Sequence, residues 1–313
     1  MNNIISGTAD IQSILEDLGY VLTPDNNGWR STRVYDNGDN PTALKIFSDN
    51  GNFISFTDGK KGTLEDLISL TLGHKTIDET KEWLDNKDYQ FSAPNKEILE
   101  PLIKNENKIF PPETIQDFGM VPNYDYFIDR GISAETCKIF KGGLCYRDKM
   151  KNRQTLIIYN SKNEIIGFTG RSVLKEFKIK WKHLGIKKNF VWPAYINSKI
   201  IQEKQEVILV ESPVCAMRLF DSGIKNVICL FGLEISFSII NYLLRINNVK
   251  VIISTNNEPD NNNRGNSAAL KIEKKLLKYF DRKNIKISLP PDKDFACIKD
   301  NKVILDWYSK TYE

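Results

Sequence analysis

Short apolar segments alternate with helix-length segments in the last third of the sequence, and this rhythm is the feature that most constrains the fold. Residues 207–210, 227–231, 249–254 and 285–289 have strand length and are rich in Val, Ile and Leu. The segments between them carry apolar residues at helical spacing. Strands separated by helices pair in parallel through right-handed crossovers. The sequence therefore predicts an α/β domain whose ligands bind beyond the carboxyl ends of its strands.

Acidic and amide side chains follow these predicted strands at that edge. Glu211 comes directly after the first strand, Asn256, Glu258 and Asp260 lie after the third, and Asp294 follows the last. Grouped carboxylates repel one another unless a cation lies among them. Oxygen ligands suit Mg²⁺ or Mn²⁺, which polarise and orient phosphate groups. One acidic residue at a strand end is commonly a helix cap, but the joint pattern predicts a metal site made of these five residues.

Composition and cysteine usage limit the alternatives. The chain has 313 residues, enough for two or three domains, and its net charge of +4 permits nucleic-acid binding without requiring it. Five cysteines without a C-x-x-C pair and only two histidines argue against a closed zinc site. The scattered cysteines predict reduced thiols in a cytoplasm. No apolar run approaches the roughly 18 residues that a membrane-spanning helix needs.

The upstream sequence predicts further modules. Residues 29–58 alternate short β-like pieces with Asn- and Gly-containing turns, which indicates an antiparallel meander. Residues 88–112 are polar and contain four prolines, which is typical of a linker. We predict a multidomain α/β and α+β protein, divided into an N-terminal module (1–92), a linker (93–120), a mixed basic subdomain (121–204), the parallel-sheet domain (205–297) and a C-terminal helix (298–313).

Three segments of the predicted parallel-sheet domain resemble the Toprim domain. They read VILVESP at 207–213, NVICLFG at 226–232 and VIISTNNEPD at 251–260. That domain is shared by bacterial-type primases, topoisomerases and some nucleases, and its first motif is a strand that ends in Glu, which Glu211 matches. Its second motif is Asp-x-Asp, whereas this sequence has Asn256-Asn257-Glu258. An amide oxygen can still coordinate a metal, with Glu258 and Asp260 supplying the charge.

The preceding region resembles the polymerase core of bacterial-type, DnaG-like DNA primases. The segments are YFIDRGIS at 126–133, RQTLIIY at 153–159, EIIGFTGR at 164–171 and KIKWKHL at 178–184. The resemblance covers residues 121–313, and the C-terminal segment is most similar to primases of T-even-like tailed phages. The short motifs are individually modest, but they occur in the order that the family has.

This resemblance implies an activity and a set of roles. The chain would synthesise short RNA primers on single-stranded DNA from ribonucleoside triphosphates, and the replicative helicase would be a partner. Glu211, Glu258 and Asp260 would be catalytic, with Mg²⁺ or Mn²⁺. The residues implied to bind template and triphosphate are Arg153, Arg171, Lys180 and Lys182, with Trp181 able to stack on a base. The alternative for 178–182 is an amphipathic strand with a solvated basic face.

Residues 29–74 resemble the zinc-ribbon module that precedes the primase core, but its metal ligands are absent because no cysteine occurs before Cys137. We predict no structural zinc here. The module would instead be held by apolar packing of Trp29, Phe47, Phe53, Phe56 and Leu67. The resemblance implies template recognition, with Arg30 and Arg33 as contacts, or a helicase contact. A small structural domain of unrelated origin is the alternative.

Two other functions use the same features. A metal-dependent Toprim nuclease would employ the same carboxylates with water as the nucleophile, although the basic subdomain argues against it. A catalytically inactive, primase-derived DNA- or helicase-binding protein would explain the missing zinc ligands and the substitution at Asn256.

Overall fold

The computed structural model describes residues 8–87, 107–174, 176, 179–258 and 264–311. The chain forms two compact units. The first unit comprises residues 1–103, 244–248 and 277–284, and the second comprises 104–243, 249–276 and 285–313. Residues 93–106 of the predicted linker lie outside the described residues. In the described part of the chain, no helix has both the length and the apolar composition needed to cross a bilayer.

The first unit is built around an antiparallel sheet of five short strands in sequential order. The strands are β1 (Thr23–Pro24), β2 (Gly28–Ser31), β3 (Leu44–Phe47), β4 (Phe53–Ser55) and β5 (Lys61–Gly62), and the helices are α1 (Thr8–Asp17), α2 (Leu64–Leu72) and α3 (Ile77–Asn86). Helix α2 begins at a capping box between Thr63 and Asp66. Trp29, Phe53 and Leu67 belong to the apolar core as predicted, and Phe47 is buried.

Three charged side chains are buried in this unit and form an ion cluster. Asp25 Oδ2 lies 2.7 Å from Arg30 Nε and 3.4 Å from Lys45 Nζ, and all three side chains are at most 2% exposed. The other Asp25 oxygen accepts the N–H of Asn248 at 2.6 Å, and Arg30 also donates to the carbonyl oxygen of Leu244. The resemblance implied that Arg30 contacts the template. Its side chain is instead buried against the Asp25 carboxylate, so it is not available to nucleic acid.

The second unit contains an antiparallel sheet ordered β10-β9-β8-β7-β6. Its strands are β6 (Met120–Val121), β7 (Gly142–Cys145), β8 (Arg153–Tyr159), β9 (Ile165–Ser172) and β10 (Trp181–Gly185), with short helices α4 (Thr114–Asp117), α5 (Asp125–Ile128) and α6 (Ala134–Ile139) before β7. On one face of the sheet, Phe168 of β9 packs with Phe118 and Met150, while residues of the other face join the largest core cluster.

The same unit contains the predicted parallel sheet, with four strands in the order β12-β11-β13-β14. They are β11 (Glu206–Val210), β12 (Val227–Cys229), β13 (Lys250–Ser254) and β14 (Ile285–Ile287), and the accompanying helices are α7 (Ala194–Lys204), α8 (Pro213–Asp221), α9 (Phe237–Leu244), α10 (Arg264–Leu276) and α11 (Asn301–Lys310). Val210 pairs with Cys229 on one side and Ser254 on the other. The residues that follow these three strands therefore emerge at one edge of the sheet.

Candidate active site

Glu211 leaves β11 at the centre of that edge. The next residue, Ser212, accepts the N–H of Cys215 at 3.2 Å, so helix α8 begins immediately after Glu211. The Glu211 carbonyl oxygen accepts the N–H of Gly232 at 3.1 Å and the S–H of Cys229 at 3.6 Å. The Glu211 backbone is thus fixed from the neighbouring strand, and its half-buried side chain starts from a rigid position.

The loop after β13 is held against helix α10. The Thr255 hydroxyl donates to the Gly265 carbonyl oxygen at 2.8 Å. A Cβ atom placed on Gly265 would lie 1.8 Å from the Asn256 carbonyl oxygen, so only glycine allows this approach. The N–H of Asn257 donates to the Lys293 carbonyl oxygen at 2.8 Å, which ties this loop to the loop after β14. Two loops from separate strands therefore reach the edge in a fixed register.

Glu258 and Asp294 lie near enough to Glu211 for their charges to act on its carboxyl group. We call Glu211, Asn256, Glu258 and Asp294 the carboxylate edge. Burial raises the pKa of the Glu211 carboxyl, and the negative charges of Glu258 and Asp294 raise it further, while a hydrogen bond from the Asn256 N–H lowers it. Asp294 also accepts the N–H of Cys297 at 3.0 Å. Asp260 lies outside the described residues, so its predicted place in the group stays a prediction.

The donor chemistry of the carboxylate edge fits a hard divalent cation, because it consists of oxygens whose negative charges repel one another. Among the described residues, no three His, Cys, Asp or Glu side chains lie close enough together to hold a metal ion. Glu258 instead forms an ion pair with Lys293, with 3.4 Å between Oε1 and Nζ. Glu211 and Glu258 are the described residues that would hold a metal, with water completing its shell.

A cationic pocket lies on the antiparallel sheet of the same unit. It has a volume of about 550 Å³, and three basic residues, Arg130, Arg171 and Lys180, outnumber the two acidic residues in its lining. The lining also includes Tyr126 and Gln154, and its acidic residues are Asp125 and Asp129. Gln154 and Arg171 are cross-strand partners and therefore project from the same face of the sheet. Arginine donates in a planar fork that matches phosphate oxygens, so this pocket is suited to a phosphorylated ligand.

Tyr126 links the pocket to the carboxylate edge. The Arg130 guanidinium carbon lies 3.7 Å from the centroid of the Tyr126 ring, and Arg171 contacts the tyrosine hydroxyl. Burial raises the pKa of Tyr126, the two arginines lower it, and the Asp294 carboxylate raises it. The Asp294 charge therefore acts on both Tyr126 and Glu211. The cationic pocket and the carboxylate edge are therefore near enough for the Asp294 charge to act on both.

The four basic residues predicted to bind phosphate do not all converge. Arg171 and Lys180 line the pocket. Lys182 pairs with Gly170, one residue before Arg171, and so projects from the opposite face of the sheet. Arg153 is only 5% exposed, and its guanidinium donates to the carbonyl oxygens of Gly170, Ile179 and Lys180 at 3.1–3.2 Å. Arg153 anchors the segment that carries Lys180 and is not positioned to contact a phosphate.

Arg130 and Tyr126 are pocket residues to which the sequence assigned no role. Both lie in the segment YFIDRGIS, which carried part of the resemblance. The available signal was their spacing of four residues, which in a helical segment places two side chains on one face. Helix α5 itself ends at Ile128, and Arg130 lies in the turn that follows. This spacing could not reveal that Arg171 also contacts Tyr126, because Arg171 comes from a strand about forty residues later.

The fold of the chain is that of bacterial primase catalytic cores. It is similar to the zinc-binding and RNA polymerase domains of *Aquifex aeolicus* primase, with 17% identity, a TM-score of 0.52, and 96% of this chain and 83% of that chain covered. A DnaG catalytic core matches 63% of this chain and 74% of its own length, with 17% identity and a TM-score of 0.50.

A third structure, the RNA polymerase domain of *Mycobacterium tuberculosis* DnaG in complex with a double-stranded DNA oligomer that has a 6-nucleotide overhang, has 14% identity and a TM-score of 0.50. It covers 63% of this chain and 75% of that chain. No protein-family model and no curated protein matches the sequence. At these identities the similarity establishes the fold.

Proposed function

We propose that this protein is a DNA primase that synthesises short RNA primers on single-stranded DNA. The observation that carries the proposal is the adjacency of the carboxylate edge and the cationic pocket, on a fold shared with primase cores. The proposal includes a Toprim catalytic domain at 205–297 and a basic subdomain at 121–204, preceded by a zinc-free module at 1–92 and a linker, and followed by a C-terminal helix at 298–313.

The two parts of the site have separate tasks in this proposal. Arg130, Arg171 and Lys180 bind the phosphates of an incoming ribonucleoside triphosphate, and Tyr126 holds the two guanidinium groups in place. The 3′ hydroxyl of the growing primer attacks the α-phosphorus, and the bond to the leaving pyrophosphate breaks. A bound Mg²⁺ or Mn²⁺ would supply charge neutralisation at the phosphate. Glu211 and Glu258 would hold it, with Asp294 adding negative charge and Asn256 and Asp260 as further proposed ligands.

Nucleic-acid partners follow from the same proposal. One similar primase core is described in complex with DNA, and a mildly basic chain with a local cationic pocket is compatible with a DNA template. The template, ribonucleoside triphosphates, the nascent RNA and a replicative helicase are the proposed partners. An origin among tailed phages and a cytoplasmic location are part of the same proposal.

The test is template-dependent synthesis of short RNA from ribonucleotides with Mg²⁺ or Mn²⁺. We expect Glu211→Gln to reduce the rate by about 100-fold or more while single-stranded DNA binding is retained, because the charge is removed without a change of shape. Arg171→Gln should mainly raise the KM for nucleotides, since it removes a phosphate contact. Lys162→Gln, in an exposed turn, is the control and should change neither.

Three outcomes would contradict the proposal. A wild-type protein that binds DNA but makes no RNA with either metal would favour the non-catalytic adaptor. Metal-dependent cleavage of single-stranded DNA without nucleotides would favour the nuclease. Full synthesis by Glu211→Gln would show that the carboxylate edge is not the catalytic site.

A further inference from the structure

An ammonium group lies at the carboxylate edge. Lys293 Nζ is 3.4 Å from Glu258 Oε1, and the Lys293 side chain is 58% exposed whereas that of Glu258 is 16% exposed. The backbone fixes both partners, because the Lys293 carbonyl oxygen accepts the N–H of Asn257, the residue before Glu258. Unlike most surface ion pairs, this pair therefore has its two main chains already held in register.

The charge balance around this pair is uneven. Glu211, Glu258 and Asp294 place three negative charges near one another, and burial together with this repulsion raises the pKa of Glu211. Lys293 contributes one positive charge to the group, directly on the carboxylate that would serve as a metal ligand. An ammonium ion and a divalent cation that share one carboxylate repel each other, so the presence of either disfavours the other.

We infer that Lys293 is a resident counter-ion that sets how tightly the carboxylate edge binds divalent cations. The inference rests on the proposed function, because it takes the carboxylate edge to be the metal site. In the metal-free protein, Lys293 keeps Glu258 paired. When a cation binds, the ammonium moves away from Glu258 on its flexible stem, which its exposure permits. Lys293 thereby weakens metal binding without preventing it.

The experiment measures Mn²⁺ binding by calorimetry, without nucleotide or DNA and at low ionic strength. We expect Lys293→Met to lower the Kd for Mn²⁺ about tenfold, because a full positive charge next to the ion is removed in a partly screened environment. Lys293→Arg keeps the charge and should stay near the wild-type Kd. Lys199→Met removes a lysine that is 88% exposed and paired with Glu203 at 3.8 Å, and it should leave the Kd unchanged.

The results separate this inference from the proposed function. A wild-type protein that binds Mn²⁺ and a Lys293→Met protein with the same Kd would overturn the inference alone. Weaker binding by Lys293→Met, with an unchanged thermal midpoint, would also overturn it, since Lys293 would then be organising the site. Binding by neither protein would overturn the inference together with the metal part of the proposed function. Tighter binding by Lys293→Met without any RNA synthesis would support the inference and count against the primase.

Discussion

The ion cluster of the first unit and the carboxylate edge of the second unit handle buried charge in opposite ways. Asp25 is matched by Arg30 and Lys45, so that two cations enclose one anion and each side chain is almost fully buried. At the carboxylate edge, Glu211, Glu258 and Asp294 gather three like charges, and the described residues supply Lys293 as an incomplete match. The first arrangement neutralises its own charge, whereas the second leaves negative charge unsatisfied.

This difference distinguishes a structural use of charge from a functional one. Burial tends to raise the pKa of Asp25, but Lys45 and Arg30 lower it below its ordinary value. For Glu211, burial and neighbouring carboxylates act in the same direction and raise the pKa. Where charged partners overcome the effect of burial on the pKa, the group is stabilised by the fold. Where neighbouring charges add to the effect of burial, the group belongs to a candidate functional site.

The largest expected effect on stability comes from the ion cluster. Asp25→Ala should lower the free energy of unfolding by about 3–5 kcal/mol, because Arg30 and Lys45 would remain buried without a counter-charge. Urea denaturation monitored by tryptophan fluorescence measures this change. The control is Glu203→Ala in the exposed pair with Lys199, which should cost less than about 0.5 kcal/mol. Equal effects of the two substitutions would mean that burial of the cluster contributes nothing.

A smaller effect on stability is expected from Gly265, whose close contact with the Asn256 backbone positions part of the carboxylate edge. Gly265→Ala should destabilise the second unit by about 1–3 kcal/mol, because the new methyl group would overlap the Asn256 carbonyl oxygen. Displacement of Asn256 should also weaken Mn²⁺ binding. Gly223→Ala, where a Cβ meets no atom within 4 Å but φ is +92°, controls for backbone strain alone. If Gly265→Ala left the Mn²⁺ affinity unchanged, the position of the Asn256 loop would not matter for metal binding.

The smallest effect is a difference in the pH dependence of stability. The folded pKa of Glu211 lies above its ordinary value of 4.5, so its ionisation disfavours the fold as pH rises from about that value through the folded pKa. Glu211→Gln should remove this loss and stabilise the protein above that window by less than about 1 kcal/mol, since the side chain is only partly buried. Glu258 and Asp294, whose charges act on Glu211, are left intact in this variant.

Asp25 should show the opposite sign. Its folded pKa lies below 3.8, so its contribution is present above its unfolded value and is lost as pH falls through the folded pKa. Unfolding curves of Asp25→Asn and Glu211→Gln between pH 3 and pH 8 compare the two directly. The two variants should differ from the wild type in free energy of unfolding with opposite pH trends. The same trend in both would contradict the opposite use of charge in the two clusters.

The parallel sheet was predictable because its strands are buried on both faces and read as continuous apolar runs. The run at 207–210 matches β11 within one residue. The predicted meander at 29–58 was wrong in one part, since a β-like pattern continues to residue 35 but β2 ends at Ser31 and a 3-10 turn occupies Val34–Asp36. An ion pair between Arg33 and Asp36 at 3.3 Å accompanies that turn, and such pairing is invisible to an alternation pattern.

The position of a candidate site residue was predictable where one sequence rule applied to that residue. It was not predictable where the position depended on packing between distant residues. Glu211 follows from the rule for strand ends. The role of Arg153 was implied by the resemblance, and only the folded structure shows that its side chain is buried. No sequence pattern indicated a partner for His183, yet its ring packs on Phe231 at 5.7 Å, and burial lowers its pKa to about 4. Packing of this kind depends on residues distant in sequence.

The Arg153 anchor has a consequence for how the chain can diverge. Its guanidinium donates to the main-chain carbonyl oxygens of Gly170, Ile179 and Lys180, and every amino acid supplies such an oxygen. Side chains at 179 can therefore change between related proteins without releasing the segment. Arg153 itself has no such freedom, because lysine cannot reach three acceptors from one planar group. Among relatives, Arg153 should therefore be retained, while the exposed residue at position 179 varies.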